Sequence, residues 1–189
     1  MGEILKPTRT NRDLTKSISP IGAGVKLIVG FIFKEEAHFN KAKPALLRYF
    51  GSVDFESQSI PFNYTDYYRE EFGEPLKRKF ISFRKLISPD KLCDIKALSN
   101  KIEDRLALKG RRMVNIDPGY LDLSRLILAT TKDFAHRIYL NRGIYAEVTL
   151  FYKDKTFHAW PWTYPDYKTV EYIETFNKIR EIYRIQKPK

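Results

Sequence analysis

Seven polar residues between Arg111 and Lys155 have the types that chemistry needs: Asn115, Asp117, Lys132, Asp133, His136, Arg137 and Glu147. Lys132 and Arg137 could hold a phosphate, Arg137 through its planar two-donor fork. His136 and Glu147 are the candidates for moving a proton. Asn115, Asp117 and Asp133 would complete the ligand contacts with hydrogen bonds. The same residues also admit a purely structural role. A carboxylate inside a strand costs stability unless it is paired or solvated, and Arg137 or His136 is the obvious partner for Glu147. Metal binding is not expected, because His38, His136 and His158 are far apart and lack ligand spacing. No cofactor can be named.

Those residues need strands to position them. The sequence HRIYLNRGIYAEVTLFY predicts a hairpin, with arms over 136–140 and 144–152 around Asn141-Arg142-Gly143. Its second arm alternates, with Ile144, Ala146, Val148, Leu150 and Tyr152 facing one way and Tyr145, Glu147, Thr149 and Phe151 the other. Arg112 to Asp117 reads as a strand that stops at the turn signal Asp117-Pro118-Gly119. Leu123 to Thr131 and Thr156 to Trp160 read as further strands. Upstream, KLIVGFIF (26–33) reads as a central strand covered on both faces. A helix over 35–50 and a strand over 53–60 follow it, with Pro44 kinking that helix or marking its first turn. Lys79 to Leu86 is another strand.

Two more helices are expected. Ser88-Pro89 opens one, whose apolar stripe is Leu92, Ile95, Leu98, Ile102 and Leu106. Cys93 lies beside the stripe, which suits packing better than catalysis. The other is the terminal helix, marked by Val170, Ile173, Phe176, Ile179 and Tyr183. The pattern implies an α+β fold: a mixed, mainly antiparallel sheet of six to eight strands covered by about three helices. Residues 1–24 read as a flexible arm and 25–189 as one domain.

Two aromatic loops flank the polar stretch. FNYTDYYREEF (62–72) includes Tyr67, and WPWTYPDY (160–167) includes Trp162. Either ring could stack on a base. The chain of 189 residues carries a net charge of +11. Twelve Lys or Arg against four acids fall between Leu76 and Arg112, which suggests an anionic partner such as RNA or a nucleotide. A single cysteine excludes an internal disulfide and fits a reducing cytosol. No signal peptide or membrane-length apolar run occurs. The motifs of phosphate-loop proteins, dinucleotide binders, serine hydrolases and RNA-recognition modules are all missing. The expectation is therefore a phosphate-bearing ligand bound around 111–155. The alternatives are a sequence-independent RNA-binding module or an adaptor that uses its aromatic loops. The residues do not establish whether a reaction follows, nor the oligomeric state.

Four strings, KLIVGFIF, PFNYTDYYREEFGEPLKRKFISF, RRMVNIDPGYLDLSRLILATTKDFAHRIYLNRGIYAEVTLFY and PWTYPDY, resemble a bacterial family known only as a domain of unknown function, of the DUF4416 type. The resemblance spans about Lys26 to Tyr183. It implies no catalytic residue, since none is established for the family. Some members are labelled GTP-binding, and the phosphate loop that label would require is missing here.

Overall fold

The longest apolar run forms the middle of the sheet. In a computed structural model that describes residues 24–64 and 69–186, strand β1 (Lys26–Phe33) is buried along its whole length. Its alternate residues serve two cores. Leu27, Val29, Phe31 and Phe33 pack under helices α1 (Glu36–Phe50) and α3 (Leu92–Leu106). Ile28 faces the opposite side, which helix α4 (Val170–Gln186) covers with Tyr172, Phe176, Ile179 and Tyr183. A strand covered on both faces has no polar side to present, so its sequence is apolar throughout.

The remaining strands are β2 (Val53–Glu56), β3 (Ile60–Pro61), β4 (Lys77–Phe83), β5 (Val114–Leu121), β6 (Arg125–Thr130), β7 (Arg137–Asn141), β8 (Ile144–Lys153) and β9 (Thr156–Ala159). A short helix, α2 (Arg69–Phe72), precedes β4. Every pairing is antiparallel. Seven strands follow the order β2-β4-β1-β5-β6-β8-β7, with β3 added on β4 and β9 on β8. The fold is thus the expected α+β sheet covered by three main helices. Pro44 stands inside α1 rather than at its start. Ser88 precedes a single 3-10 turn, Pro89–Lys91, and its hydroxyl bonds Asp90 instead of the helix amides. Val170 is exposed, and Tyr172 and Thr175 take its place on the buried face of α4. Cys93 packs with Leu92, Ile127 and Ile144, as expected of a core cysteine.

Besides the strand expected over 53–60, which is two short ones, β2 and β3, two expectations about the strands need correction. The Asp117-Pro118-Gly119 turn does not exist, because β5 runs straight through it and pairs with β1 from Val114 to Leu121. Pro118 is tolerated because β5 has no β6 partner at that position. Pairing between β5 and β6 is confined to Gly119–Leu128, Tyr120–Ile127 and Leu121–Leu126. Below Gly119 the two strands part. The second correction concerns β8. The register against β6 shifts between Leu126 and Ile127, so Thr149 is an extra residue in the ladder. This bulge inverts the alternation. Ile144, Ala146 and Val148 pack on the α3 side, while Leu150 and Tyr152 join the α4 side.

The ends of the described region are tied together. Lys26, fully buried, donates to Asp54 at 2.6 Å, to the Phe83 carbonyl and to Gln186 of α4. The Tyr183 hydroxyl donates to the carbonyl of Gly24 at 2.8 Å. Among the described residues no helix is long and apolar enough to cross a membrane. Residues 1–23, and with them most of the expected arm, lie outside the described residues.

Gly119 holds the point where the sheet divides. A Cβ there would stand 2.4 Å from the Ile127 carbonyl oxygen and 2.7 Å from the Leu128 side chain. Neither a backbone atom nor a packed leucine can move away freely. Gly119→Ala is expected to lower unfolding free energy by about 1–3 kcal/mol, the usual range for overpacking. Urea denaturation measures it, and an unchanged midpoint would show that β5 and β6 can separate at no cost.

Candidate functional site

The parted strands open a cavity of about 470 Å³. One wall is α3, which contributes Lys96, Asn100, Glu103 and Asp104. Their spacing of four, three and one along the helix puts them beside the apolar stripe, so a polar seam borders the buried one. Strand β5 supplies Asn115 and Asp117, while β6 and the turn after it supply Leu128 to Lys132. Glu147 of β8 closes another side. Arg78 of β4 and Asp166, from the single 3-10 turn Asp166–Lys168 that precedes α4, meet across it. Rings of Phe62, Tyr64, Tyr164 and Tyr167 complete the lining.

Arg78 is the most enclosed cation in the cavity. Its guanidinium donates to Asp117 at 3.3 Å and to Asp166 at 3.0 Å. It also lies 5.3–5.4 Å from the ring centres of Phe62, Phe80 and Tyr167. Lys96 Nζ donates to the Ile116 carbonyl at 2.9 Å and approaches Asp117 at 3.5 Å. Asp117 also accepts from Asn115 Nδ2 at 2.7 Å. Burial alone would raise the Asp117 pKa, but Lys96, Arg78 and Asn115 outweigh it and hold the carboxyl below its ordinary range. Glu103 goes the other way. It accepts from the Ile116 amide at 2.6 Å and from Arg112 at 2.9 Å, yet burial still pushes its carboxyl up. Two carboxyls about one lysine are therefore biased in opposite directions, one towards the anion and the other towards the acid.

Arg112 joins the wall to α2. Its Nε and Nη2 donate to the two oxygens of Glu71 at 2.7 and 2.6 Å, and Nη1 reaches Asn115 at 3.2 Å. The Glu71 and Glu103 carboxylates hold the Arg112 guanidinium well above its ordinary pKa.

The expected residues divide into three groups. Asn115, Asp117, Lys132 and Glu147 line the cavity. Arg137 and His136 stand behind Glu147. Arg137 Nε donates to its carboxylate at 2.8 Å and His136 Nε2 lies 3.1 Å away, while the Thr149 hydroxyl donates to the other oxygen at 3.2 Å. Since Arg137 and Glu147 are direct cross-strand partners, this cluster fixes the hairpin register. His136 is not part of the lining and touches it through Glu147. Asp133 and Trp162 lie away from the lining. Asp133 is exposed. Trp162 stacks between His136 and Trp160, at 5.3 and 5.1 Å. Its indole N–H donates to the Val148 carbonyl at 3.1 Å, and Thr163 Oγ1 donates to the Thr149 carbonyl at 2.6 Å. Those carbonyls fall between the stretches of β8 that β7 and β9 pair with, so the tryptophan loop covers an otherwise open ladder. Tyr67 lies outside the described residues.

Sequence reasoning missed Arg78, Lys96, Glu103, Arg112 and Asp166. Lys96, Asn100 and Glu103 at spacings of four and three were a readable signal on α3. Arg78 and Asp166 left none, since each is the single buried charge of its own element.

Two outcomes follow from these contacts. The Asp117 carboxyl is depressed, so the stability it contributes is complete above its unfolded pKa of about 3.8 and is lost as pH falls through its lower folded value. Asp117→Asn should therefore destabilise the protein at neutral pH, and the gap from the natural chain should narrow below about pH 3.8. Urea unfolding across pH 3 to 7 reads this, and a constant gap would rule it out. Arg137→Ala leaves a carboxylate only 2% exposed without its main counter-charge and should cost roughly 3–5 kcal/mol. A loss under about 1 kcal/mol in the same experiment would show that water reaches Glu147.

Comparison with known proteins identifies a family. The family described as "Domain of unknown function (DUF4416)" covers residues 23–183. No curated protein and no solved structure matches significantly. The matched span contains every strand of the described residues, the cavity and α4 as far as Tyr183, and the chain belongs to the DUF4416 family.

Proposed function

We propose that this chain binds a small phosphate-bearing ligand of nucleotide size in the cleft between β5 and β6, in a cytosolic setting. The observation that carries the reading is the meeting of Arg78, Lys96, Arg112 and Lys132 with the rings of Phe62, Tyr64 and Tyr164 around one cavity of about 470 Å³. That volume lies within the range of small-molecule sites. The cations would hold phosphate, Arg112 through its fork, and the rings offer faces to a base. The carboxylates Asp117, Asp166 and Glu147 would accept hydrogen bonds from sugar hydroxyls or base N–H groups. The basic stretch of the sequence divides on folding. Arg78, Lys96 and Arg112 line this cavity, whereas Lys77 and Lys79 pair with Glu36 on the other side of β4. A long RNA track has less support than a compact anion.

One observation favours a second reading. The wall carries five carboxylates, Glu103, Asp104, Asp117, Glu147 and Asp166, against four cations. A phosphate must displace carboxylates from its cations, whereas a ligand bearing an ammonium group would meet the acid excess directly.

The two readings separate in a thermal-shift panel of nucleoside mono- and triphosphates, inorganic phosphate and aliphatic diamines. A ligand present at 100 times its Kd stabilises by about 2.7 kcal/mol, enough to move the melting temperature by several degrees. The first reading expects a nucleotide to do so, and Arg112→Gln to weaken its binding about tenfold or more by titration calorimetry. A rise with diamines alone transfers the site to the second reading. No rise with any compound overturns both.

A further inference from the structure

The two edges of the sheet differ in a way that the cleft does not explain. At one edge β2 has four residues, and its two acids are engaged, Asp54 by Lys26 and Glu56 by Lys43 and Lys79. Short, charged edges resist pairing. At the other edge, among the described residues, β7 pairs with β8 alone. Its sequence, Arg-Ile-Tyr-Leu-Asn, places three large apolar side chains in solvent: Ile138 at 67%, Tyr139 at 58% and Leu140 at 39% exposed. Phe134, just before the strand, is 63% exposed. Four of the eleven exposed large apolar residues described thus fall within seven positions. Scattered ones need no explanation, but a cluster on an open edge does.

The open ladder calls for another strand, and β7 is its own complement. In an antiparallel pair about a two-fold axis at Tyr139, Ile138 of each copy lies opposite Leu140 of the other, and Arg137 lies opposite Asn141. Apolar residues meet apolar ones. No like charges meet on the seam either, because Arg137 is already neutralised by Glu147. At the far end of the strand Arg142 is held by Asp94 at 3.1 Å. The register shift between Tyr139 and Asn141 limits the seam to a short central stretch, so side-chain burial must supply much of the affinity. Because the β2 edge is blunted, such pairing stops at two copies instead of growing into a filament.

We propose that β7 is a homodimer interface, joining two copies of this chain edge to edge into one continuous sheet. The inference is independent of what the cleft binds. Sedimentation velocity of the full chain over a range of micromolar concentrations tests it. The expected result is a mass that doubles with concentration. The double variant Ile138→Lys, Leu140→Lys should remain monomeric throughout while keeping its circular dichroism and the melting temperature that the natural chain shows at concentrations where it is monomeric, since both side chains are exposed in the single chain. Tyr139→Cys, placed at the axis, should give a covalent dimer under mild oxidation, whereas Tyr49→Cys, on the remote α1 helix, should not. A monomer at every concentration, a dimer that survives the lysine variant, or growth beyond the dimer would each overturn the proposal.

Discussion

The buried guanidinium of Arg78 is the constraint around which the cavity is organised. A cation in the middle of a sheet is costly unless its surroundings replace water on every side. Here Asp117 from β5 and Asp166 from the turn before α4 supply the charge, while Phe62, Phe80 and Tyr167 supply ring faces. The partners come from separated parts of the chain, so pairing one arginine brings β4, β5, the segment after β3 and the turn before α4 into register. Hydrophobic burial on the two faces is non-directional, whereas the bonds from the arginine to its two aspartates require one geometry. Asp166 is only 4% exposed and, among the described residues, its ion-pair partner is Arg78 alone, so Asp166 would be left as an uncompensated buried charge without it.

A divided sheet gives the protein a polar interior without the cost of a polar core. Where β5 and β6 are joined, at Gly119 to Leu121, their side chains feed both cores, Leu121, Leu126 and Leu128 on the α4 side and Tyr120 and Ile127 on the α3 side. Where they part, the unpaired backbone of β5 is met by side chains instead. Lys96 takes the Ile116 carbonyl and Glu103 takes the Ile116 amide. The helix α3 thus repairs the ladder that β6 leaves open and, in doing so, delivers its charges to the cavity wall. The Thr149 bulge acts on the neighbouring strand by turning Glu147 and Leu150 to the same side of the sheet, so one strand serves both cavity and core.

Much of this was legible in the sequence, for identifiable reasons. The uniform run of β1, the stripes of α3 and α4, and the Asn-Arg-Gly hairpin are local patterns, with Arg142 and Gly143 both in the left-handed conformation that such a turn demands. Pro118-Gly119 was misread because the same dipeptide serves a turn and a strand split, and only the position of β6 distinguishes them. The alternation of β8 failed at a single inserted residue, which leaves no mark in composition. Within the candidate site, the residues close in sequence to the hairpin were found. Arg78 and Asp166 were not, since their partnership spans 88 positions and exists only once the sheet is complete.

The ties between the two ends of the described region bear on how the protein is made. Tyr183 bonds Gly24, and Gln186 bonds Lys26, across about 160 residues. The face of β1 that carries Ile28 therefore lacks the cover of α4 until that helix has left the ribosome. During synthesis the growing sheet presents Ile28, Phe80, Leu126 and Leu150 to solvent, with only the α1–α3 side closed. Nascent chains stalled before residue 170 should be the species most in need of a chaperone, and the domain should become self-sufficient abruptly, as its final helix docks.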